Sequence, residues 1–173
     1  MERKIAILAL FAILTLSIVA TLQSAANACL CVYVDIKPGS WPNPINVRSK
    51  GVFAVAICGT CDFDVRTIDP ATVRIYIDGD GVADGDGVAP LRWSYEDVAT
   101  PYTGDYDGGH ALGGDGYLDL VLHFKTQTLV ANHLERHVGE TIPLVITGHL
   151  YRELDGTPII GQDYVWVLAL PGS

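Results

Sequence analysis

Acidic side chains crowd one stretch of the sequence, residues 78–119. It holds nine aspartates and one glutamate against a single arginine, Arg92, so its local charge of −9 equals that of the whole chain. Ten glycines are interleaved with these acids, and they let the backbone turn tightly. Carboxylates this close repel one another unless a cation lies among them, and Ca²⁺ favours several oxygen ligands on a flexible loop. The stretch therefore predicts Ca²⁺ as a cofactor.

The spacing of these acids indicates which of them converge. Asp105 and Asp107 are two residues apart on a glycine-rich loop, and Asp115 and Asp119 are four apart where a loop meets a strand. Two D-G-D units within residues 78–86 form a second site or complete the first. The predicted calcium ligands are Asp78, Asp80, Asp84, Asp86, Asp97, Asp105, Asp107, Asp115 and Asp119. The pattern is not that of a helix-loop-helix calcium site, and a solvated, turn-rich acidic loop is the alternative interpretation.

The cysteines form a second constellation. Cys29 and Cys31 make a CxC pair, and Cys58 and Cys61 make a CxxC pair. An even number of cysteines in an exported chain is typical of disulfides, so we expect two that tie the N-terminal strand to the turn at residues 58–61. A tetrahedral Zn²⁺ or iron site is the second interpretation. Thioredoxin-like redox chemistry is the third, since its CxxC opens a helix whereas this one ends a predicted strand.

Catalytic motifs are missing from the sequence. It has no nucleophile elbow, P-loop or zinc-protease motif, and its five histidines do not converge. We therefore expect that the protein is not an enzyme. Several aromatic residues lie in or beside predicted loops, where they suit either stacking on sugar rings or packing over the core. They are Trp41, Trp93, Tyr95, Tyr102 and Tyr106, and they make a carbohydrate-binding module, with a glycan as partner, an alternative function.

The N-terminus has the pattern of a secretory signal peptide over residues 1–28. A charged start precedes an apolar run of 16 residues, and small residues then fit cleavage after Ala26 or Ala28. An uncleaved anchor is the alternative, but a spanning helix needs about 20 apolar residues; lipidation of Cys29 is a third option. We expect a secreted or cell-surface protein with no membrane insertion after cleavage. Its excess of acids excludes nucleic-acid binding through a basic patch.

The rest of the chain, residues 29–173, predicts one all-β domain. Short apolar runs, many of them alternating, are separated by Gly, Pro and Asp turns, and none sustains a helical period. Residues 69–72 are predicted as a turn, and residues 129–137 as one helical turn or a strand crossing. The clearest predicted strands are residues 29–36, 52–57, 73–77, 117–124, 142–150 and 163–170. Seven or eight such strands indicate a single antiparallel β-sandwich of Greek-key, immunoglobulin-like type.

Several phrases together resemble a known domain. They include VDIKPGS (34–40), PNPIN (42–46), SKGV (49–52), VAI (55–57), FDV (63–65), IDPATVR (68–74), EDV (96–98) and DGYLDLVLHF (115–124). This order is similar to that of a largely uncharacterised domain of secreted and cell-surface proteins of bacteria and archaea, and the resemblance covers residues 34–167. Such domains often accompany adhesion-like or calcium-binding modules. The resemblance implies calcium ligands at Asp115 and Asp119, although an insertion after residues 96–98 spreads the family's acidic run.

These observations predict a secreted, cell-surface structural or adhesive protein that Ca²⁺ stabilises. Because one domain makes up the predicted mature chain, we expect it to act by self-association, as in a filament or surface layer, or by binding other surface components. A carbohydrate-binding module and a cysteine-based metal or redox protein are the alternatives.

Overall fold

The computed structural model describes residues 29–78, 87–105 and 108–171, and within them the chain is all-β. Nine strands are present in these residues: β1 Leu30–Cys31, β2 Val34–Ile36, β3 Pro44–Asn46, β4 Val52–Ile57, β5 Ile68–Ile77, β6 Arg92–Glu96, β7 Asp119–Lys125, β8 Thr141–Leu150 and β9 Pro158–Leu168. One short α-helix, α1 (Thr126–Ala131), follows β7, and 3₁₀ turns cover Val65–Thr67, Leu134–His137 and Arg152–Leu154. The predicted signal peptide lies outside the described residues.

The strands form two sheets. One sheet has the order β1-β9-β8-β5, with β3 also paired to β9, and the other has the order β2-β4-β7-β6. Most neighbours are antiparallel, as the sequence predicts, but β1 and β3 both run parallel to β9. The expectation of a purely antiparallel arrangement is therefore wrong at these two pairs. Both strands are only two or three residues long, which lets the N-terminal segment lie along β9 without its own hairpin.

One continuous core takes apolar side chains from both sheets. Alternate residues of β7, Leu120, Leu122 and Phe124, are fully buried, because successive side chains of a strand point to opposite faces. Phe53 of β4 lies opposite Phe124 in register, and their ring centroids are 6.0 Å apart. The other sheet contributes buried residues such as Leu144 of β8 to the same cluster.

The first predicted strand is divided between the two sheets. Val32 donates its backbone N–H to the carbonyl of Ile160 at 2.8 Å, in the sheet of β9. The next residue, Tyr33, accepts from the N–H of Cys58 at 2.9 Å, at the end of β4. The chain therefore crosses from one sheet to the other within residues 32–33. This crossing places Asp35 of β2 next to residues of both sheets.

Other boundaries follow or depart from the sequence prediction. The strand predicted at residues 52–57 is β4 with the same bounds, whereas the predicted turn at residues 69–72 lies inside β5. A shift in the β5–β8 register between Asp69 and Arg74 accommodates those residues. None of the helices in the described residues is long and apolar enough to cross a bilayer.

Candidate functional site

Asp119, the first residue of β7, is a fully buried carboxylate. Its Oδ1 accepts the backbone N–H of Gly59 at 3.0 Å, and its Oδ2 accepts those of Val98 and Ala99, both at 2.9 Å. Asp119 lies on the face of β7 opposite Leu120, and the turn after β4 and the segment after β6 cover that face and supply these three donors. It fastens the turn after β4 and the segment after β6 to the start of β7.

The surroundings of Asp119 suit this cross-link. A Cβ at Gly59 would collide with the carbonyl oxygen of Leu118, so only glycine lets the turn approach closely enough to donate. Burial raises the pKa of Asp119, the three backbone N–H donors lower it, and the nearby charge of Asp115 raises it. Both of its carboxylate oxygens already accept hydrogen bonds.

Asp97 and Asp115 form a second, exposed acidic pair beside Asp119. Asp97 accepts the backbone N–H of Asp115 at 2.8 Å through Oδ1 and that of Gly116 at 3.0 Å through Oδ2. Asp115 in turn accepts the N–H of Tyr117 at 3.0 Å. The structure therefore brings together three predicted ligands, Asp97, Asp115 and Asp119, although Asp97 lies 18 residues before Asp115 in the sequence.

The remaining predicted calcium ligands are not gathered with this group. Asp105 is exposed on the loop after β6, and Asp78 follows β5, where its Oδ1 is buried without a partner in the described residues. Asp80, Asp84, Asp86 and Asp107 lie outside the described residues. Over residues 29–78, 87–105 and 108–171, no three His, Cys, Asp or Glu side chains converge in a way that would hold a metal. The calcium site stays a prediction.

The four cysteines are free thiols in this structure. Cys58 is buried, whereas Cys29, Cys31 and Cys61 are exposed, and no two of the four lie at disulfide distance. The expected pair of disulfides is not formed. The segment with Cys29 and Cys31 runs along β9, whereas Cys58 directly follows β4, which belongs to the other sheet. Burial, and then the charges of four aspartates, raise the pKa of the Cys58 thiol. This thiol is therefore a poor nucleophile.

A polar seam that the sequence analysis overlooked joins β2 to β9. The Oδ2 atom of Asp163 accepts the backbone N–H of Ile36 at 2.7 Å and the side-chain amide of Asn43 at 2.9 Å. Its Oδ1 accepts the N–H of Tyr164 at 2.7 Å, and Asn43 also donates to the carbonyl of Tyr164 at 3.0 Å. Asn43 has φ 53°, in the left-handed region that asparagine tolerates better than most residues. Asp163 thus links β9 to β2 of the other sheet, and Asn43 fastens the turn before β3 to β9.

Asp35 lies in this seam as an incompletely paired carboxylate. Its side chain is 8% exposed and that of Asn43 is 1% exposed, yet Asp35 Oδ2 and Asn43 Oδ1 have no hydrogen-bond partner within the described part of the chain. Both residues line a small cavity of about 10 Å³, together with Asp163 and His110. Burial raises the pKa of Asp35 to about 7, with further contributions from the charges of Asp163 and Asp119.

His110, on the loop after β6, lines the same cavity. Its Nδ1 accepts the backbone N–H of Leu112 at 3.3 Å, so in the neutral ring Nε2 carries the hydrogen. That Nε2 is buried without a partner in the described residues. The ring meets Tyr102 edge-on, with centroids 5.6 Å apart. Burial raises the pKa of Asp163, and two backbone N–H donors and the charge of His110 partly oppose this rise.

A larger, open pocket of about 370 Å³ borders the seam. Its walls include the rings of Tyr33, Tyr102 and Tyr164, and its polar groups include Asp105 and Gln162. The Nε2 atom of Gln162 is buried and lacks a partner among the described residues. Of the aromatic residues predicted to bind sugar, the structure brings Tyr102 to this pocket and Trp41 to the neighbouring small cavity, while Trp93 and Tyr95 lie on β6. Tyr106 lies outside the described residues.

The sequence carries one signal for the seam. Asp35 interrupts a β-branched run, VYVDI, in which an ionisable residue is unexpected at a buried position. Asn43 and Asp163 carry no comparable signal, since one lies in a Pro-rich turn and the other in a strand of mixed polarity.

Comparison with known proteins gives no further assignment. No family model matches the chain, and no curated protein or solved structure matches it either.

Proposed function

We propose that this protein is a secreted, cell-surface structural or adhesive domain whose acidic loops are stabilised by Ca²⁺. In this proposal its two sheets stack as a Greek-key, immunoglobulin-like β-sandwich, and the chain belongs to the domain family that its sequence resembles. The role is one of binding and assembly, not of catalysis.

The observation that carries the proposal is the exposed pair of Asp97 and Asp115. Asp97 accepts the backbone N–H groups of Asp115 and Gly116, so the loop holds two exposed acidic residues next to each other. The ion pairs in the described residues join Arg66 to Asp64 and His137 to Glu140, and neither involves this pair. A hard cation with oxygen ligands would neutralise Asp97 and Asp115 and draw further acids of the stretch towards them.

Calcium binding in this arrangement couples to local folding. A ligand that binds the folded loops and not the unfolded chain stabilises the fold by mass action. Ordered acidic loops would then present a fixed surface to a partner. Strand β6 supports self-association, because it lies at the edge of its sheet and carries exposed Trp93 and Tyr95.

The proposal is tested by titrating chelator-treated protein with Ca²⁺ and with Mg²⁺ and measuring binding heat and melting temperature. We expect Ca²⁺ to bind and to raise the melting temperature more than Mg²⁺ does at equal concentration. The double variant Asp97→Asn/Asp115→Asn should lose most of this gain, whereas Asp62→Asn, an exposed control, should keep it. If chelator leaves the melting temperature unchanged and no Ca²⁺ binds, the calcium part of the proposal is wrong.

Self-association is a separate part of the proposal. Light scattering and electron microscopy with and without Ca²⁺ should show larger assemblies when Ca²⁺ is present. A protein that stays monomeric at all concentrations and in both conditions contradicts this part.

Carbohydrate binding is the second candidate function, and the pocket lined by Tyr33, Tyr102 and Tyr164 favours it. Its volume falls within the usual range for small-ligand sites, and its tyrosine rings and polar groups match the apolar faces and hydroxyls of a sugar. A glycan array tests it, with Tyr102→Ala expected to abolish binding and Trp93→Ala, on β6, expected to preserve it. An array on which the wild-type protein binds nothing removes this candidate.

A further inference from the structure

We propose that the small cavity between Asp35, Asn43 and Asp163 is a binding site for one small, hard cation, with Asp35 Oδ2 and Asn43 Oδ1 as its first two ligands. The site is distinct in residues and location from the exposed pair Asp97 and Asp115. It would fasten the crossover strand β2 to β9 at the seam between the sheets.

Two buried oxygen atoms at this cavity lack a hydrogen-bond partner in the described residues. Asp35 and Asn43 are both more than nine-tenths buried and line the same cavity of about 10 Å³, and each has one acceptor oxygen without a donor in the described part of the chain. Buried polar atoms are nearly always paired, so two unpaired acceptors in one small cavity indicate an occupant. Carboxylate and amide oxygens are ligands of hard cations. The orientation of Asn43 is fixed, because its amide nitrogen donates to Asp163 and to the carbonyl of Tyr164.

The negative charge around the cavity also favours a bound cation. Asp35, Asp119 and Asp163 are close enough that the charges of Asp163 and Asp119 both act on Asp35. Lys37 is not among the charges that act on Asp35, and its ammonium group donates to the carbonyl of Pro44 at 2.8 Å. The charge of His110 acts on Asp163. A buried carboxylate without a counter-charge is costly, and a bound cation removes that cost.

A water molecule is the competing occupant. The cavity volume suits one water, which would donate to Asp35 Oδ2 and Asn43 Oδ1 and accept from His110 Nε2. Water would satisfy these hydrogen bonds but leave the charges of Asp35, Asp119 and Asp163 uncompensated. A cation satisfies the two acceptors and the charge together. His110 then stays outside the ligand set, because its available nitrogen carries the hydrogen.

The test uses chelator-treated protein in choline chloride, titrated separately with CaCl₂, MgCl₂ and NaCl at pH 8. Four proteins are compared: wild type, Asp35→Asn, the double variant Asp97→Asn/Asp115→Asn, and the exposed control Asp62→Asn. Calorimetry gives the stoichiometry, and thermal melting gives the stabilisation. The three salts distinguish a calcium site from a sodium site.

We expect Asp35→Asn to bind one cation fewer per chain than wild type, while the double variant keeps this cation and Asp62→Asn keeps all of them. If Asp35→Asn does not fold, the double variant tests the site on its own, because it should still bind one cation. The proposal is overturned if Asp35→Asn binds as many cations as wild type. It is also overturned if the double variant binds none, since the cavity then holds water. A double variant that binds as many cations as wild type contradicts only the exposed calcium site.

Discussion

Two buried aspartates of this molecule differ in one respect that decides their roles. Asp119 is fully buried and gives its two carboxylate oxygens to three backbone N–H donors. Asp35 is 8% exposed, and its Oδ2 has no donor among the described residues. Burial raises the pKa of both groups, but the backbone donors oppose this rise only at Asp119.

Burial alone therefore does not identify a functional carboxylate. At Asp119 the hydrogen bonds account for the group, and its role is to hold three segments of chain together. At Asp35 the pairing is incomplete, and a cation, a proton or a water must complete it. Variants at these two aspartates and at their neighbours test this distinction.

Removing the Asp119 carboxylate should have the largest effect on stability. In Asp119→Ala three buried N–H groups lose their acceptor, so we expect the free energy of unfolding to fall by about 4 kcal/mol. Urea unfolding measures this change. The exposed variant Asp62→Asn should change the same free energy by less than about 0.5 kcal/mol. A loss below about 1 kcal/mol in Asp119→Ala would mean that these hydrogen bonds do not hold the loops.

Removing the Asp35 charge should raise the free energy of unfolding at high pH, which is the opposite of the change expected for Asp119→Ala. The folded-state pKa of about 7 lies above the ordinary value of 3.8, so the folded chain binds more protons between these values than the unfolded chain does. Stability from this group is complete below pH 3.8 and is lost as the pH rises through about 7. In cation-free buffer at pH 8, Asp35→Asn should therefore be more stable than wild type, by roughly 3 kcal/mol.

Unfolding in urea from pH 4 to pH 8 checks the Asp35 prediction. Wild type should lose stability over this range, and Asp35→Asn should lose much less of it. Asp62→Asn should follow wild type. Identical pH profiles for wild type and Asp35→Asn would show that Asp35 is already paired.

The glycine that donates to Asp119 should be more sensitive than a glycine in open space. Gly59→Ala places a methyl group against the carbonyl of Leu118, and we expect it to lower the free energy of unfolding by about 2 kcal/mol. Gly113→Ala is the matched control, because a Cβ there has no neighbour within 4 Å and its φ lies outside the positive region. Thermal melting of both variants should show a lowered midpoint for Gly59→Ala only; equal midpoints would contradict the close approach.

The smallest effect on stability is expected at Cys58, whose thiol is close enough to Asp119 and Asp35 for both charges to act on it. Cys58 packs with Ala56 and Ala99 at 1% exposure, so Cys58→Ala should lower the free energy of unfolding by about 1 kcal/mol. Cys61→Ala, an exposed control, should change it little. Alkylation followed by mass spectrometry should label the exposed cysteines rapidly in the folded protein and Cys58 only after unfolding. Rapid labelling of Cys58 would contradict its burial.

Much of the fold is predictable from the sequence, because strand periodicity is a local property. The run at residues 52–57 is apolar and β-branched and becomes β4 with the same bounds. The break at residues 32–33 is not visible in the pattern, since tertiary hydrogen bonds from Val32 and Cys58 decide which sheet each part joins. Strand β3 is hidden by its proline, which is tolerated there because β3 lies at a sheet edge.

The candidate sites were less predictable, for a related reason. Spacing along the acidic stretch suggests that Asp115 and Asp119 act together. It does not show that Asp119 is buried against backbone donors or that Asp97 accepts the backbone N–H of Asp115 across the loop. The seam depends on contacts between residues about 120 positions apart, such as Asn43 and Asp163. No local pattern contains that information.

The most direct measurement of the central claim is a carboxyl ¹³C NMR titration of the wild-type protein, with and without Ca²⁺ or Na⁺. We expect Asp35 to titrate near pH 7 in cation-free buffer. We also expect that adding the cation that binds keeps Asp35 ionised at lower pH, while the Asp119 signal responds little. An Asp35 carboxyl that titrates near its ordinary value of 3.8, with no response to either cation, would contradict the account.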